Sequence, residues 1–178
     1  MDSKNPINRA DIIGILKNKD KMEKEKATVK PSVINDTLIR KYIINYNKEN
    51  KIFDKNDDPV WNLTHLALQF KNILQISNLD GMEKLVKLQL DNNIINKIEK
   101  LDKLVNLKWL DLSFNRITNI EGLENLTKLE DLSLADNHIS LIQNLENLTE
   151  LNVFSFGNNL VRYHEDTVKY FRTLKNKL

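Results

Sequence analysis

One skeleton recurs every 22 residues through most of this 178-residue chain, and a repeat of that length leaves little freedom in what the chain folds into. Leu63, Leu85, Leu107, Leu129 and Leu151 each open the pattern L-x-x-L-x-L-x-x-N-x-I-x-x-I-x-x-L-x-x-L. The copies opening at Leu85, Leu107 and Leu129 hold every apolar position while nearly all residues between them change. Fixed apolar positions with free positions between them describe a scaffold whose function sits in the variable slots.

The x-L-x-L-x portion alternates with period two, which predicts a short strand per copy with one side inward. Stacked copies then form a parallel sheet. The L-x-x-L spacing near the end of each copy puts both leucines on one side of a helical turn on the opposite, convex side. One copy cannot bury its leucines alone, so stability comes from neighbours stacking into a right-handed, quasi-one-dimensional α/β solenoid. The asparagine has a separate reason: where the chain leaves the strand, backbone groups inside the coil face no water, and an inward amide both donates to and accepts from them. Asn93, Asn115, Asn137 and Asn159 are therefore expected to form a ladder, with Asn115→Leu costing roughly 1 to 3 kcal/mol.

The ends depart from the pattern. Lys71 stands where the first copy would carry its asparagine, which suits a terminal coil near solvent. Ahead of it, "PSVINDTLIRKYIINY" offers Asn35 or Asp36 as an N-cap and puts Leu38, Tyr42, Ile43 and Tyr46 on one stripe, predicting a helix that caps the N-terminal end of the core. The fifth copy degrades after Asn159 and Val161. "EDTVKYFRTLKNKL" reads as a longer helical turn before Leu178, with no polar capping segment after it, so the C-terminal edge is expected to continue into further sequence or meet a partner. Residues 1–30, with their "KNKDKMEKEKATVK", read as a flexible lysine-rich arm; 31–60 as capping helix and linker; 61–178 as the repeat domain.

Composition narrows the function. A net charge of +2 and 29% charged residues do not describe a nucleic-acid binder, and the lysines are dispersed without interleaved aromatics. There is no cysteine, which excludes disulfides and cysteine-ligated metal and fits a reducing compartment. No segment approaches the ~20 apolar residues that span a bilayer, and the start lacks the apolar core of a secretory signal. An intracellular protein is expected, in which the N-x-S/T sequons at Asn35, Asn62, Asn125 and Asn147 stay unmodified.

Residues flanking the strand leucines face the concave side, where solenoids bind partners. Among those slots Lys87, Gln89, Trp109, Asp111 and Asp131 are the candidate partner-binding residues. An outward Trp109 on a rigid strand is the expected anchor, against the alternatives that it packs beneath the N-terminal helix or against a neighbouring side chain. Phe70 and Phe114, just before the ladder position, are expected to fill the core. Asp111 and Asp131 lie on adjacent strands, but an open sheet keeps both solvated and gives no pKa-perturbing cleft, so no enzyme is expected. His65, His138 and His164 share no ligand spacing, and the four scattered glycines form no phosphate loop, so neither metal nor cofactor is expected.

The copy with its "IEGLENL" linker resembles the leucine-rich-repeat class found in phosphatase-regulatory subunits and many ciliary proteins. A closer resemblance lies in "KLQLDNNII", "WLDLSFN" and "LEDLSL", which are similar, variable slots included, to the leucine-rich-repeat subunit 3 family of the nexin-dynein regulatory complex of motile cilia; "PSVINDTLIRKYI" resembles the segment preceding the repeats there. The likeness covers residues 31 to about 165. It implies a non-catalytic structural role in the ciliary axoneme: linking doublet microtubules, regulating dynein motors, and contacting coiled-coil subunits of the complex, with dynein and tubulin as further partners and no nucleic acid, membrane or small-molecule substrate. Family members continue into more repeats and a long coiled coil absent here. The rival readings are a leucine-rich-repeat dynein light chain on a motor heavy chain, and a phosphatase regulatory subunit.

Overall fold

A computed structural model describes residues 30–50, 60, 62–162 and 165–175, with side chains outside 44–50, 166 and 175. The chain divides into two compact units, Met1–Lys30 and Pro31–Leu178. The lysine-rich arm, the linker 51–59, His164 and Leu178 lie outside the described residues.

The second unit is a leucine-rich-repeat solenoid. Its elements run β1 (Ser32–Val33), α1 (Asp36–Asn50), β2 (His65–Ala67), β3 (Ile73–Gln75), β4 (Lys87–Gln89), β5 (Trp109–Asp111), β6 (Asp131–Ser133), β7 (Val153–Ser155) and α2 (Glu165–Lys175). β2, β4, β5, β6 and β7 form one parallel five-stranded sheet in that order. Its register puts Leu66, Leu88, Leu110, Leu132 and Phe154 in one row, so the 22-residue period in sequence becomes one strand spacing in space. Leu66, Leu88, Leu110 and Leu132 are buried on the inner side. On the convex side the L-x-x-L segment makes two tight turns in series: Leu104 N donates to Leu101 O and Leu107 N to Leu104 O, each at 2.9 Å. Both turn leucines, Leu101 and Leu104, point into the core.

Two backbone positions in each central copy adopt left-handed φ. The first is the residue before the ladder asparagine: Asn92 (φ 55°), Phe114 (53°) and Asp136 (54°). The second is Lys100 (57°), Gly122 (68°) and Asn144 (60°). A Cβ on Gly122 would lie 2.7 Å from Ile98 O, whereas Asn144 aims its amide at the corresponding carbonyl one copy on, Ile120 O, at 2.7 Å. Gly122→Ala is expected to lower stability by about 1 kcal/mol, and Gly122→Asn by clearly less, because asparagine tolerates this region and supplies a donor. Thermal melts of the two variants side by side check the order.

Each end of the core is covered differently. Asn35 is the N-cap of α1, accepting from Leu38 N at 2.9 Å, while Asp36 in the first turn pairs with Arg40 at 2.6 Å. α1 packs against β2. Its buried side chains are Ile39 and Ile43, one turn apart, with Leu38 and Tyr42 only partly buried; the expected stripe is thus rotated by one residue, and the Tyr46 side chain lies outside the described residues. Before the helix, β1 pairs with β3, and Ile34 O accepts from the Asn78 amide at 2.6 Å as Ile120 O does from Asn144. Ile34 thereby stands in for the preceding copy. At the other end the segment read as a longer helical turn forms α2, which covers the last coil. α2 lays Tyr170, Phe171 and Leu174 against the core and turns Glu165, Lys169 and Arg172 outward. Phe154, Phe156 and Phe171 form a ring stack at 5.1 and 5.7 Å, so aromatics replace the leucines of the inner copies.

The Tyr170 hydroxyl accepts from Leu145 N at 2.8 Å and ties α2 to the fourth copy. Burial, reinforced by Glu146, pushes its pKa up to about 12. The folded state therefore holds this proton above the usual value of 10.0. The resulting stability is complete below that value and is lost as pH rises towards about 12. Urea titrations of parent and Tyr170→Phe at about pH 9 and about pH 11.5 are expected to show a smaller alkaline loss in the variant.

Candidate protein-docking face

Because strand side chains alternate, the residues on either side of each buried leucine all emerge on the concave surface. The register sorts them into rows across the sheet. The first runs His65, Lys87, Trp109, Asp131, Val153, and the second Ala67, Gln89, Asp111, Ser133, Ser155. The five candidate residues thus fall on three neighbouring strands, each half-buried.

Trp109 stands between Lys87 and Asp131 in its row. The Lys87 ammonium lies 4.0 Å from the centroid of the indole ring, a cation–π contact that fixes the ring and covers part of one face. The neighbour of Trp109 in its row is thus a side chain of the adjoining strand. Asp111 and Asp131 are not opposite each other: Asp111 faces Ser133, and Asp131 faces Trp109. Asp111 is held by its own turn, accepting from Ser113 N at 2.9 Å and Ser113 Oγ at 2.5 Å, which fixes the strand exit.

Beyond the strands the rungs continue. Asn92 N donates to Ser113 O, Phe114 N to Ala135 O and Asp136 N to Gly157 O, so Asn92, Phe114 and Asp136 stand side by side in a further row. Here the sequence expectation fails: Phe70 is 72% exposed and Phe114 53%, and neither fills the core. The cause is the backbone. Left-handed φ at this slot turns the side chain away from the coil, and a bulky residue there carries a conformational cost of roughly 1 to 2 kcal/mol that Asn92 and Asp136 avoid. The signal was present, since the corresponding residues of other copies, Asn92, Asp136 and Asn158, are left-handed formers. Asp91, also outside the five candidates, accepts from the Asn92 amide at 2.8 Å through Oδ2, while its Oδ1 is covered and meets no donor among the described residues.

The four asparagines lie behind this face and fasten it. The Asn115 amide donates to Leu90 O and Leu112 O at 3.0 Å and to Ser113 O at 3.1 Å, and its oxygen accepts from Ile95 N at 2.9 Å. Asn93, Asn137 and Asn159 repeat the arrangement, each bridging its own copy and the one before. In the first copy the Lys71 and Ile73 amides are satisfied from outside, by the Asn93 oxygen at 3.0 Å. Among the described residues no group of three potential ligand side chains is placed to hold a metal, and no helix is long and apolar enough to cross a membrane.

These features define a protein built from leucine-rich repeats, a fold whose members are typically interaction modules without catalysis. The family model for leucine-rich repeats in two copies matches residues 105–147. The chain is similar to internalin C2 of Listeria monocytogenes, at 31% identity and a TM-score of 0.55 over 59% of this chain and 46% of that one. It is similar to a leucine-rich-repeat protein of Leptospira interrogans at 25% identity and a TM-score of 0.60, over 71% of this chain and 33% of that one. A chain of the Drosophila melanogaster SNF/U2A′ complex matches at 25% identity and a TM-score of 0.59, with 83% of this chain and 81% of that one covered. The chain spans less than half the length of the internalin and Leptospira proteins. No curated protein matches it significantly.

Proposed function

We propose that this chain is a non-catalytic docking module of the nexin-dynein regulatory complex, holding coiled-coil subunits of that complex in the ciliary axoneme and so taking part in linking doublet microtubules and regulating dynein. The observation that carries the docking half is the row Lys87, Trp109, Asp131 beside Gln89 and Asp111: side chains of different chemistry held at fixed spacing on a rigid parallel sheet. The axonemal half rests on the variable slots in "KLQLDNNII", "WLDLSFN" and "LEDLSL", which resemble that subunit family where a generic repeat would differ. The SNF/U2A′ likeness supports assembly with a protein partner, since that structure is itself a complex.

Trp109→Ala leaves the buried leucines in place and removes the anchor. It is expected to weaken retention on demembranated axonemes by about 2 kcal/mol or more, a shift of more than tenfold in the concentration needed to rebind. Parent-like rebinding by a variant with a parent-like melt overturns the role of this face.

A further inference from the structure

The chemistry of the docking face points to the kind of partner it takes. Phe70 and Phe114 sit in the same slot two copies apart and are both exposed. With strands about 4.8 Å apart, their backbones are separated by roughly 10 Å, close to the roughly 10.5 Å that seven residues span along an α-helix. Trp109, on the same strand as the exit to Phe114, extends the apolar surface inward over the sheet. A helix running across the strands can therefore place side chains seven residues apart against the two phenyl rings, with intervening ones on the indole.

Charge selects what else that helix carries. Over the copies of β4, β5 and β6 this face presents Asp91, Asp111, Asp131 and Asp136 against one cation, Lys87, which is spent on the Trp109 ring. The face is acidic although the whole chain carries +2. None of the four aspartates pairs with lysine or arginine among the described residues. Asp91, Asp111 and Asp136 accept only from neutral groups: the Asn92 amide, Ser113 and the Asn158 amide. Uncompensated carboxylates beside exposed rings complement a surface that is both apolar and cationic.

We propose that this face binds an amphipathic, basic α-helix of a partner protein, its apolar stripe on Phe70, Trp109 and Phe114 and its lysines or arginines against the aspartates. The proposal rests on the docking reading above and adds the partner's chemistry to it. Phe114→Asn separates binding from folding, because asparagine suits the left-handed backbone at this position; the variant melts at or above the parent temperature while losing the ring.

The test uses the full chain and fluorescent 21-residue helical peptides with leucines seven apart: one flanked by arginine, a twin with arginine replaced by glutamate, and the arginine peptide with a central proline. Anisotropy titrations are expected to show the arginine peptide binding at least tenfold tighter than either control. Phe114→Asn and the double variant Asp131→Asn with Asp136→Asn are each expected to weaken it tenfold or more, the latter also flattening its salt dependence. Absence of binding, equal binding of the acidic twin, or equal binding of the proline peptide overturns the proposal. So does concentration-dependent self-association that Phe114→Asn abolishes, which assigns the face to a second copy. If the peptides fail while Trp109→Ala still releases the protein from axonemes, the docking reading stands and the basic helix falls.

Discussion

An Asn115→Leu variant is expected to lose about 3 kcal/mol of stability, the upper end of what one unpaired buried group costs, and to melt roughly 6 to 12 °C below the parent. The Ile95 amide loses its partner outright, and the Leu90, Leu112 and Ser113 carbonyls each lose a donor while keeping the Asn93 side chain, the Asn137 side chain and the Asn92 backbone amide. Leucine fits the volume but answers none of them, and water has no route into a coil where Asn115 is 6% exposed. The matching change at the last coil, Asn159→Leu, is expected to cost about 1 kcal/mol, since that asparagine is only half-buried and solvent reaches the freed groups. Equal melts for Asn115→Leu and the parent would mean that the ladder does not hold the coils together.

The second large effect belongs to the stacking itself. Leu110→Ala is expected to destabilise the protein by about 3 to 4 kcal/mol in a urea titration, as truncations of fully buried leucines do. Leu110 is completely buried and lies in register between Leu88 and Leu132, so its side chain belongs to two inter-copy interfaces. In a solenoid each copy depends on its neighbours alone, and damage in the middle weakens both halves. Leu174→Ala on α2, only partly buried at the end of the stack, is expected to cost half as much or less. A loss at Leu110 no larger than at Leu174 would contradict the one-dimensional account of stability.

Much of this was readable from the chain because the repeat presents one physical problem five times. In the three central copies the leucines, isoleucines and asparagines answer it identically, so strand register and inward face follow from the spacing. What escaped was decided by backbone dihedrals and rotamers. Phe70 and Phe114 looked like core because phenylalanine is apolar, yet a left-handed φ at their slot sends any side chain outward. The helical turn at α2 was legible but its packing was not, because its apolar residues, Tyr170, Phe171 and Leu174, meet aromatic partners in the fifth copy and not the leucines of the pattern. Lys87 over Trp109 needed the cross-strand register, which the period supplies, and also a lysine rotamer, which it does not. The rotation of the α1 stripe from Leu38 and Tyr42 towards Ile39 and Ile43 was settled by how the helix meets β2.

The central claim, a concave docking face used within the axonemal regulatory complex, is tested most directly by cross-linking mass spectrometry on demembranated axonemes carrying the tagged protein. Lys87 lies on the concave rows, whereas Lys103 sits in the convex turns and serves as an internal reference. The account predicts cross-links from Lys87 to coiled-coil subunits of the complex, lost in Trp109→Ala, with those from Lys103 unaffected by that change. Cross-links to a dynein heavy chain alone, or absence from axonemes with a phosphatase catalytic subunit bound in the cytosol, would contradict it.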